Sequence, residues 1–275
     1  MPKLTVLIPC KDERRHIRAC IASVRSIADE VLVADSGSKD GTLEIVHDLG
    51  CRVIEREYVH SADFKNWAIP QAAHEWVLIV DADERLTPQL AEEIRKLLSS
   101  RPPHDAYELQ RNLFFLGHRI NHCGLTSNYL VRLFRRDLGR YSTRRVHADI
   151  EVKGGDVGRL RHRLVHYTAL DIDHFLAKQQ RYSTLAALDA YDAGKKTTAP
   201  KLLLHAPLRF LQLYLLRRGY RDGRAGLVVC GIMAYYTFLK DAKLWAMHSS
   251  RASVDDLAGP AEERPPPSQA RRKAA

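Results

Sequence analysis

Two carboxylates spaced two residues apart, Asp81 and Asp83, are the side chains of this sequence with the clearest capacity for chemistry. They follow an apolar run at 75–80 that is typical of a buried strand, where unpaired acids are costly. A divalent cation relieves that cost, because Mg²⁺ and Mn²⁺ bind carboxylate oxygens together with substrate phosphate and water. The alternative is structural, with the two acids capping a helix that starts near Thr87. The surrounding pattern favours a metal site.

That surrounding pattern alternates short apolar runs with amphipathic segments over the first hundred residues. The predicted strands are 4–8, 30–34, 52–55 and 75–80. The predicted helices are 12–27, 41–49, 64–73 and 88–98. The last of them has Thr87 as N-cap and Pro88 at the first helical position. Repeated strand–helix units of this length predict an α/β fold, with a mostly parallel, doubly wound sheet and helices on both faces.

Polar, mainly acidic loops follow three of these strands, at 9–13, 35–42 and 81–84. Because the carboxyl ends of parallel strands share one edge, we expect the three loops to meet there and to bind a ligand. Asp35 ends the second strand, where a nucleotide base or ribose lies in doubly wound sheets. Its alternative role is a turn closed by its own side chain. Neither the P-loop nor the dinucleotide glycine pattern is present, which argues against an NTPase and a nicotinamide enzyme.

Four motifs in this order resemble those of the family 2 inverting glycosyltransferases: LIPCKDE at 7–13, VADSGSKDGT at 33–42, FKNWA at 64–68 and VLIVDADE at 77–84. More narrowly, the chain is similar to the bacterial branch that includes lipopolysaccharide-core glucosyltransferases, over about residues 1–250. The resemblance implies a GT-A-like fold, a nucleotide-sugar donor and a divalent metal, Mg²⁺ or Mn²⁺.

By matching position, the resemblance assigns seven residues to the donor site: Pro9, Asp12, Glu13, Asp35, Lys65, Asp81 and Asp83. The first three would border the nucleotide, Asp35 would meet the uracil or ribose, and Lys65 would lie near the base. The last two aspartates would hold the metal on the diphosphate. The family usually has Asn where this chain has Asp12, which predicts a changed contact at that position.

An inverting transferase needs a general base for the acceptor hydroxyl, and the sequence leaves its identity open. The branch resembled here has a G-W-Y-P-D-Y…V-H-E pattern whose two acids are replaced by Asn128 and Ala148. An amide or a methyl group cannot take a proton. Asp149 or Glu151 could substitute, although in a strand Asp149 would face the other way from position 148. His147 is predicted to act as a third metal ligand or to position the acceptor; alternatively it is a core histidine.

Six arginines crowd residues 132–145, and guanidinium forks match phosphate geometry. We expect Arg132 and Arg135 to contact the donor diphosphate or a phosphorylated acceptor. The alternative is that most of these arginines belong to a solvated surface.

The charge is distributed unevenly along the chain. The protein has 275 residues and a formal net charge of +10. Residues 1–105 hold 14 basic and 18 acidic side chains, residues 106–170 hold 12 and 5, and residues 171–275 hold 17 and 10. The positive surplus predicts an anionic partner. Nucleic acid is disfavoured because no recognition motif is present.

The predicted organisation has four parts: a nucleotide-sugar-binding half at 1–105, an acceptor-side half of the same domain at 106–170 made of short strands and loops, a helical C-terminal extension at 171–250 and a disordered tail at 251–275. Basic and apolar residues at 200–248 suit the headgroup plane of an anionic membrane. The alternatives are packing on the catalytic domain and a dimer interface. The longest uncharged apolar stretch has 15 residues, fewer than the roughly 20 that span a bilayer.

The five cysteines are scattered and no secretory leader is recognisable, which predicts a reduced, cytoplasmic protein. Together these features predict an enzyme at the inner face of the cytoplasmic membrane that moves a hexose from a UDP-sugar to a lipid-linked saccharide. Lipopolysaccharide core is the expected acceptor, and a protein or capsular acceptor is the alternative. A catalytically weakened scaffold is a third interpretation, prompted by Asn128 and Ala148.

Overall fold

A computed structural model describes residues 2–125, 129–142 and 149–249. The strands are β1 (Leu4–Cys10), β2 (Glu30–Asp35), β3 (Arg52–Glu55), β4 (Trp76–Ile79), β5 (Glu84–Arg85), β6 (Ala106–Leu109), β7 (Arg111–Phe115), β8 (His118–Ile120), β9 (Leu130–Arg135), β10 (Gly139–Tyr141), β11 (Ile150–Val152), β12 (Val157–Arg159) and β13 (Leu164–Ala169). The α-helices are α1 (Ile17–Val24), α2 (Thr42–Asp48), α3 (Ser61–Ala68), α4 (Pro88–Ser99), α5 (Ile172–Asp192), α6 (Ala199–Leu211) and α7 (Gly223–Ser249).

The main sheet has seven strands in the order β12-β6-β9-β4-β1-β2-β3. Four neighbouring pairs are parallel, β1 with β2, β1 with β4, β2 with β3 and β6 with β12. Only β9 runs antiparallel to its neighbours β4 and β6. The predicted mostly parallel α/β sheet is therefore confirmed, with one reversed strand inserted beside β4.

Alternation along the central strands builds a core on each face of this sheet. Val6 and Ile8 of β1 pack with α1, α2 and α4, whereas Leu7 packs with α3 on the opposite face. Side chains of a strand point alternately to its two faces, so apolar residues at every position produce a strand buried on both sides. Helices on both faces follow from that pattern, as the sequence predicted.

The helix bounds follow local chemistry. The hydroxyl of Thr87 accepts a hydrogen bond from Leu90 N at 3.2 Å, which confirms the predicted N-cap of α4. Helix α1 starts at Ile17 rather than near residue 12, because Asp12 has a left-handed backbone with φ of 54°. The apolar residues Ile17, Cys20, Ile21 and Val24 form its buried face.

A second sheet of four strands has the order β5-β13-β7-β8. Its shortest member, β5, directly follows the acidic loop of β4 and pairs antiparallel with β13, so that His166 lies opposite Glu84. A separate hairpin is formed by β10 and β11. These short strands occupy the region 106–170 that the sequence predicted to be strands and loops.

The C-terminal helices share a core with the second sheet. Phe115 of β7 and Ile120 of β8 pack in one cluster with Phe175 of α5 and Val229 of α7. A π-helical turn (Gln212–Leu216) and a 3₁₀ turn (Gly219–Asp222) connect α6 to α7. The predicted tail at 251–275 lies outside the described residues.

One helical segment, Gly219–Ser249, has the length and mean hydropathy (1.2) of a membrane span. The uncharged apolar stretch found in the sequence has only 15 residues because charged residues bound it. This is weak evidence, since a core helix meets the same criteria, and a third of the apolar window is buried inside the protein.

Candidate active site at the carboxyl edge of the sheet

The loops after β1 and β2 are tied together at the carboxyl edge of the main sheet. Cys10 Sγ donates to Asp35 Oδ2 at 3.3 Å, and the backbone N–H of Asp12 donates to Ser38 Oγ at 2.8 Å. Glu13 N donates to the hydroxyl of Thr42 at 2.9 Å. Two of the three polar loops therefore form one surface, as expected for parallel strands.

Asp35 is completely buried within this surface. Its Oδ1 accepts hydrogen bonds from the backbone N–H groups of Gly37 and Ser38, both at 2.8 Å, and its Oδ2 accepts one from Ser38 Oγ at 2.5 Å. The carboxylate thus closes the turn after β2. Its predicted contact with a uracil or ribose stays a prediction.

Asp12 bridges the same two loops through its backbone and its side chain. Its Oδ1 accepts a hydrogen bond from Lys39 N at 2.7 Å. Asp and Asn tolerate the left-handed backbone better than other side-chain-bearing residues, and both can accept this bond. The structure therefore gives a local reason why either residue can occupy the position. Pro9 lies in β1, opposite Ala34 of β2.

Asp81 follows β4 and is paired with two cations. Lys65 Nζ lies 2.7 Å from Oδ1, and Arg132 Nη2 lies 2.9 Å from Oδ2. Burial alone would raise the pKa of Asp81, but Arg132 and Lys65 outweigh it and hold that pKa well below its usual range. The same contact raises the pKa of Lys65. Asp81 is therefore ionised at any physiological pH.

Arg132 joins this pair to a second buried acid. The same Nη2 lies 2.9 Å from Glu84 Oε1, and Arg111 Nη1 lies 3.3 Å from that oxygen. Glu84 is fully buried, and its other oxygen accepts a hydrogen bond from the backbone N–H of Asp81 at 3.0 Å. A buried acid is tolerated when it is paired and hydrogen-bonded in this way. Glu84 therefore fixes the conformation of the Asp81–Asp83 loop.

Asp83 is paired with residues from the second sheet and from α5. Its Oδ2 lies 3.2 Å from His166 Nε2 and 3.5 Å from Lys178 Nζ. Burial alone would raise the pKa of Asp83, yet His166 and Lys178 together lower it below its usual range. The other ring nitrogen of His166 is buried without a hydrogen-bond partner among the described residues.

The pKa of Glu13 is affected by burial and by the other acids of this edge. Burial, followed by repulsion from Asp83, raises the pKa of Glu13 to about 8. A carboxyl group that retains its proton near neutral pH marks a place that favours a cation.

The donor set at this edge suits a metal that arrives with its substrate. Among the described residues, no group of three or more His, Cys, Asp or Glu side chains could hold a metal by itself. Only Oδ2 of Asp83 is engaged by other described side chains, which leaves Oδ1 for a ligand. Mg²⁺ commonly uses one or two carboxylates plus substrate phosphate oxygens. Asp83 fits that pattern directly, whereas both oxygens of Asp81 are paired with Lys65 and Arg132 and Asp81 would fit it once Lys65 turns away from Oδ1.

The structure does not bring Arg135 to this edge. In the antiparallel pairing of β9 with β4, Arg135 lies opposite Trp76, the first residue of β4. There it pairs with Glu75 and with Asp105 at 2.8 Å, and its guanidinium carbon lies 5.1 Å from the Trp76 ring centroid. Arg132, three residues earlier on the same strand, reaches the acidic loop instead.

The hairpin β10–β11 lies beside the site because α3 holds it. Asn66 makes two hydrogen bonds with the backbone of Tyr141, at 2.8 and 2.9 Å, and the ammonium of Lys65 lies 5.2 Å from the Tyr141 ring centroid. Asp149 precedes β11 and Glu151 lies in it, both exposed. Within the described ranges neither side chain contacts Asp81 or Asp83. His147, Asn128 and Ala148 lie outside the described residues.

Sequence reasoning placed Lys65 and Arg132 at the donor site but did not foresee their pairing with Asp81, and it assigned no role to His166 or Lys178. Glu84 was part of the recognised motif, but its two arginine partners were not foreseen. His166 lies 83 positions from Asp83 in the sequence, and no local motif links the two. Lys178 carried no signal, because nothing in the sequence shows which face of α5 meets the β4 loop.

The comparisons with known proteins agree with this architecture. The Glycosyl transferase family 2 model matches residues 5–123. The lipopolysaccharide core biosynthesis glycosyltransferase LpsC of Rhizobium meliloti (strain 1021) is 33% identical over 267 residues, which cover 93% of this chain and 98% of LpsC. An uncharacterized glycosyltransferase of Rickettsia typhi (strain ATCC VR-144 / Wilmington) is 28% identical over 254 residues, covering 89% of this chain and 87% of the relative.

Among solved structures, a partial likeness is found to glucosyl-3-phosphoglycerate synthase from Mycobacterium tuberculosis, in complex with Mn²⁺, UDP and glucosyl-3-phosphoglycerate. The likeness covers 50% of this chain and 60% of that one, at a TM-score of 0.38 and 18% identity. The match to LpsC over nearly the whole length, with the family model, shows that this chain, which has an α/β GT-A-like fold, belongs to the family 2 glycosyltransferases, in the lipopolysaccharide-core branch.

Proposed function

We propose that this glycosyltransferase moves a hexose from a UDP-sugar to a lipid-linked saccharide of lipopolysaccharide core, with inversion and with Mg²⁺ or Mn²⁺. The first half of this proposal, binding of a UDP-sugar donor with a metal, rests on one observation: the acids at the carboxyl edge of the main sheet are paired with cations. Two carboxylates, Asp81 and Asp83, lie at the ligand-binding edge of the sheet, with Lys65, Arg132 and Lys178 within 3.5 Å of them.

This edge is suited to a leaving group that carries negative charge. Asp81 and Asp83 would hold the metal, which when bound supplies positive charge for the departing diphosphate. Lys65 and Lys178 are ammonium groups on flexible stems, so they can turn from the carboxylates towards a phosphate oxygen. Arg132 is fixed by Glu84 and keeps Asp81 ionised and oriented.

The base that receives the proton of the acceptor hydroxyl is proposed to be Asp149 or Glu151. They flank the buried Ile150, so in the hairpin both lie on its exposed face. An acceptor approaching beside Lys65 and Tyr141 would meet this hairpin. His147 is proposed to position the acceptor.

A lipid-linked acceptor places the enzyme at the inner face of the cytoplasmic membrane. Support comes from the exposed leucines of α6 and from the basic surplus of residues 171–275. The similarity to LpsC supports lipopolysaccharide core as the acceptor class.

The test of the donor half is a thermal-shift panel of UDP-sugars, each with and without Mn²⁺. Binding to the native state raises apparent stability, so the cognate UDP-sugar should raise Tm only when Mn²⁺ is present. Asp83→Asn should abolish the shift, whereas Asp137→Asn, which alters an exposed carboxylate elsewhere, should retain it. No shift with any UDP-sugar, or an unchanged shift in Asp83→Asn, would contradict the proposal.

The test of the acceptor half is transfer of labelled sugar to lipopolysaccharide core with a truncated inner core. Asp149→Asn and Glu151→Gln are compared separately, with donor binding measured for each. Loss of transfer with retained UDP-sugar binding is expected from the variant that removes the base. Full transfer by both variants would exclude these two residues.

A further inference from the structure

Helix α6 and the π-helical turn after it present an apolar surface that no other described part of the chain covers. No residue of α6 is buried. The leucines of this surface are between 47% and 79% exposed: Leu203, Leu204, Leu208, Leu211, Leu215 and Leu216. A contiguous apolar surface of this kind normally marks an interaction site.

Beside these leucines, α6 and α7 enclose a groove of about 520 Å³. Its polar lining includes His205, Arg209 and Lys240, and Leu208 and Leu216 line its apolar side. The groove therefore combines cationic side chains with the same leucine surface.

Among the described residues, this groove has more positively charged than negatively charged side chains. Asp241 of α7 is 1% exposed and lies 2.5 Å from His205 Nδ1, 3.4 Å from Lys201 Nζ and 3.9 Å from Lys240 Nζ. Arg209 donates to the neutral side chain of Gln212 at 2.7 Å. One carboxylate thus faces two lysines and a histidine, while Arg209 has no acidic partner among the described residues. The surplus is positive, and it lies where an anion can enter.

We propose that this groove binds the phosphate-bearing headgroup of an anionic membrane lipid while the α6 leucines enter the outer acyl region. The inference deepens the proposed membrane location and rests on it. A lipid is the occupant that satisfies both features, because only an amphiphile offers a phosphate and an apolar chain to adjoining surfaces. A free phosphate would leave the leucines in water, and a second copy of this chain would bring like charges together.

The turn beside the groove carries the positive charge that is needed for this side of the protein to face an anionic membrane. Arg217, Arg218, Arg221 and Arg224 are exposed at the turn between α6 and α7. Basic residues at the level of the headgroups are attracted to the negative surface potential of the cytoplasmic leaflet. The groove and this basic turn would therefore lie at the same membrane surface.

The first test is flotation of the full-length protein with vesicles of phosphatidylglycerol and phosphatidylcholine, compared with phosphatidylcholine alone. Wild type should bind only the anionic vesicles. Arg209→Gln with Lys240→Gln should weaken that binding by about 25-fold, because each basic residue near an anionic surface contributes about fivefold. The matched control, Lys3→Gln with Arg18→Gln, removes the same charge from exposed positions elsewhere and should change it less than threefold.

The outcomes separate the groove from the general membrane proposal. If wild type binds but the groove and control pairs lose affinity equally, the groove is overturned and the membrane location stands. If wild type binds no anionic vesicle, both are overturned. Dimerisation that the groove variant disrupts in the absence of lipid would also overturn the inference in favour of a second copy.

The second test uses the wild-type protein, so that folding of a variant cannot confuse it. Reaction of Lys240 with an amine-reactive reagent is followed by mass spectrometry, with Lys3 as internal reference. Anionic vesicles should protect Lys240 at least fivefold and leave Lys3 unchanged. Equal protection by inorganic phosphate alone, or no protection by vesicles, would contradict a lipid headgroup site.

Discussion

At the residue scale, the acids at the carboxyl edge of the main sheet are paired with cations from four separate elements, α3, β7, β9 and α5. Asp81 and Asp83 were predictable because their spacing after a buried strand is visible in the sequence. Lys65 and Arg132 were also expected at this site, but the ion pairs were not, since Lys65, Arg132 and Lys178 lie 16, 51 and 95 positions from the acid that each one meets. Long-range pairing of this kind depends on packing, and no local pattern encodes it.

Lys178 offers the first prediction at this scale. Replacing it with Ala should weaken UDP-sugar binding about tenfold, the order of one charge-assisted hydrogen bond, because the diphosphate would lose a cation. Lys178→Arg should retain most of the affinity. Calorimetry in the presence of Mn²⁺ measures this, with Lys96→Ala on α4 as the control. Unchanged affinity in Lys178→Ala would show that the lysine only stabilises Asp83.

The two arginines of β9 give a matched pair. Arg132→Met should destabilise the protein by about 3–5 kcal/mol, because the fully buried Glu84 would keep only Arg111 as a cationic partner among the described residues. Arg135→Met should cost about 1 kcal/mol or less, since its ion pairs lie near the surface. Urea unfolding of both variants measures the difference. Equal losses would mean that the Arg132 network contributes nothing beyond a surface pair.

At the element scale, periodicity predicted the elements that carry continuous apolar runs. The runs in β1, β2, β3 and β4 and the N-cap of α4 placed these elements within a few residues of their observed bounds. The short strands of residues 106–170 were foreseen only as a group, because strands such as β5, with two residues, have no periodicity to detect. Their pairing depends on the sheet that they join.

Two glycines of α7 provide an element-scale prediction with opposite signs. A Cβ at Gly226 would overlap the carbonyl oxygen of Gly219, where the helix contacts the 3₁₀ turn before it. Gly226→Ala should therefore destabilise the protein by about 1–3 kcal/mol. A Cβ at Gly231 would meet no atom within 4 Å. Gly231→Ala should therefore stabilise the protein by about 0.5–1 kcal/mol, because alanine lowers the backbone entropy of the unfolded chain.

Chemical denaturation of the two alanine variants against wild type provides the measurement. Both variants replace glycine with alanine in the same helix. A difference in the sign of their effects on stability therefore comes from the contact between α7 and the turn. Stabilisation by Gly226→Ala would show that the helix does not approach the turn so closely in solution.

At the scale of the whole molecule, the acidic and basic parts of the sequence occupy different parts of the fold. The acidic first part forms the edge that would hold a metal, and the basic later part supplies cations to that edge and to the groove between α6 and α7. Helix α5 belongs to both, because Lys178 meets Asp83 while Phe175 packs against Phe115 of the second sheet. Helix α5 therefore connects the C-terminal helices, through its packing on α7, to the acidic edge of the main sheet.

This shared core predicts how truncations behave. A chain ending at residue 170 would expose Leu113, Phe115 and Ile120, which are at most 6% exposed in the intact protein, and it would also lack Lys178. Exposing three such side chains costs several kcal/mol, a large share of a typical domain stability of about 5–15 kcal/mol. A chain ending at Ser249 retains every contact described above.

The expected outcome is that the chain ending at residue 170 aggregates or shows no cooperative thermal transition. The chain ending at Ser249 should melt within a few degrees of the full-length protein and show the same Mn²⁺-dependent shift with the cognate UDP-sugar. Melting curves and size-exclusion chromatography of the two chains provide the comparison. Cooperative unfolding and donor binding by residues 1–170 alone would mean that the catalytic half is independent of its helices, and Lys178 would then have no part in holding the diphosphate.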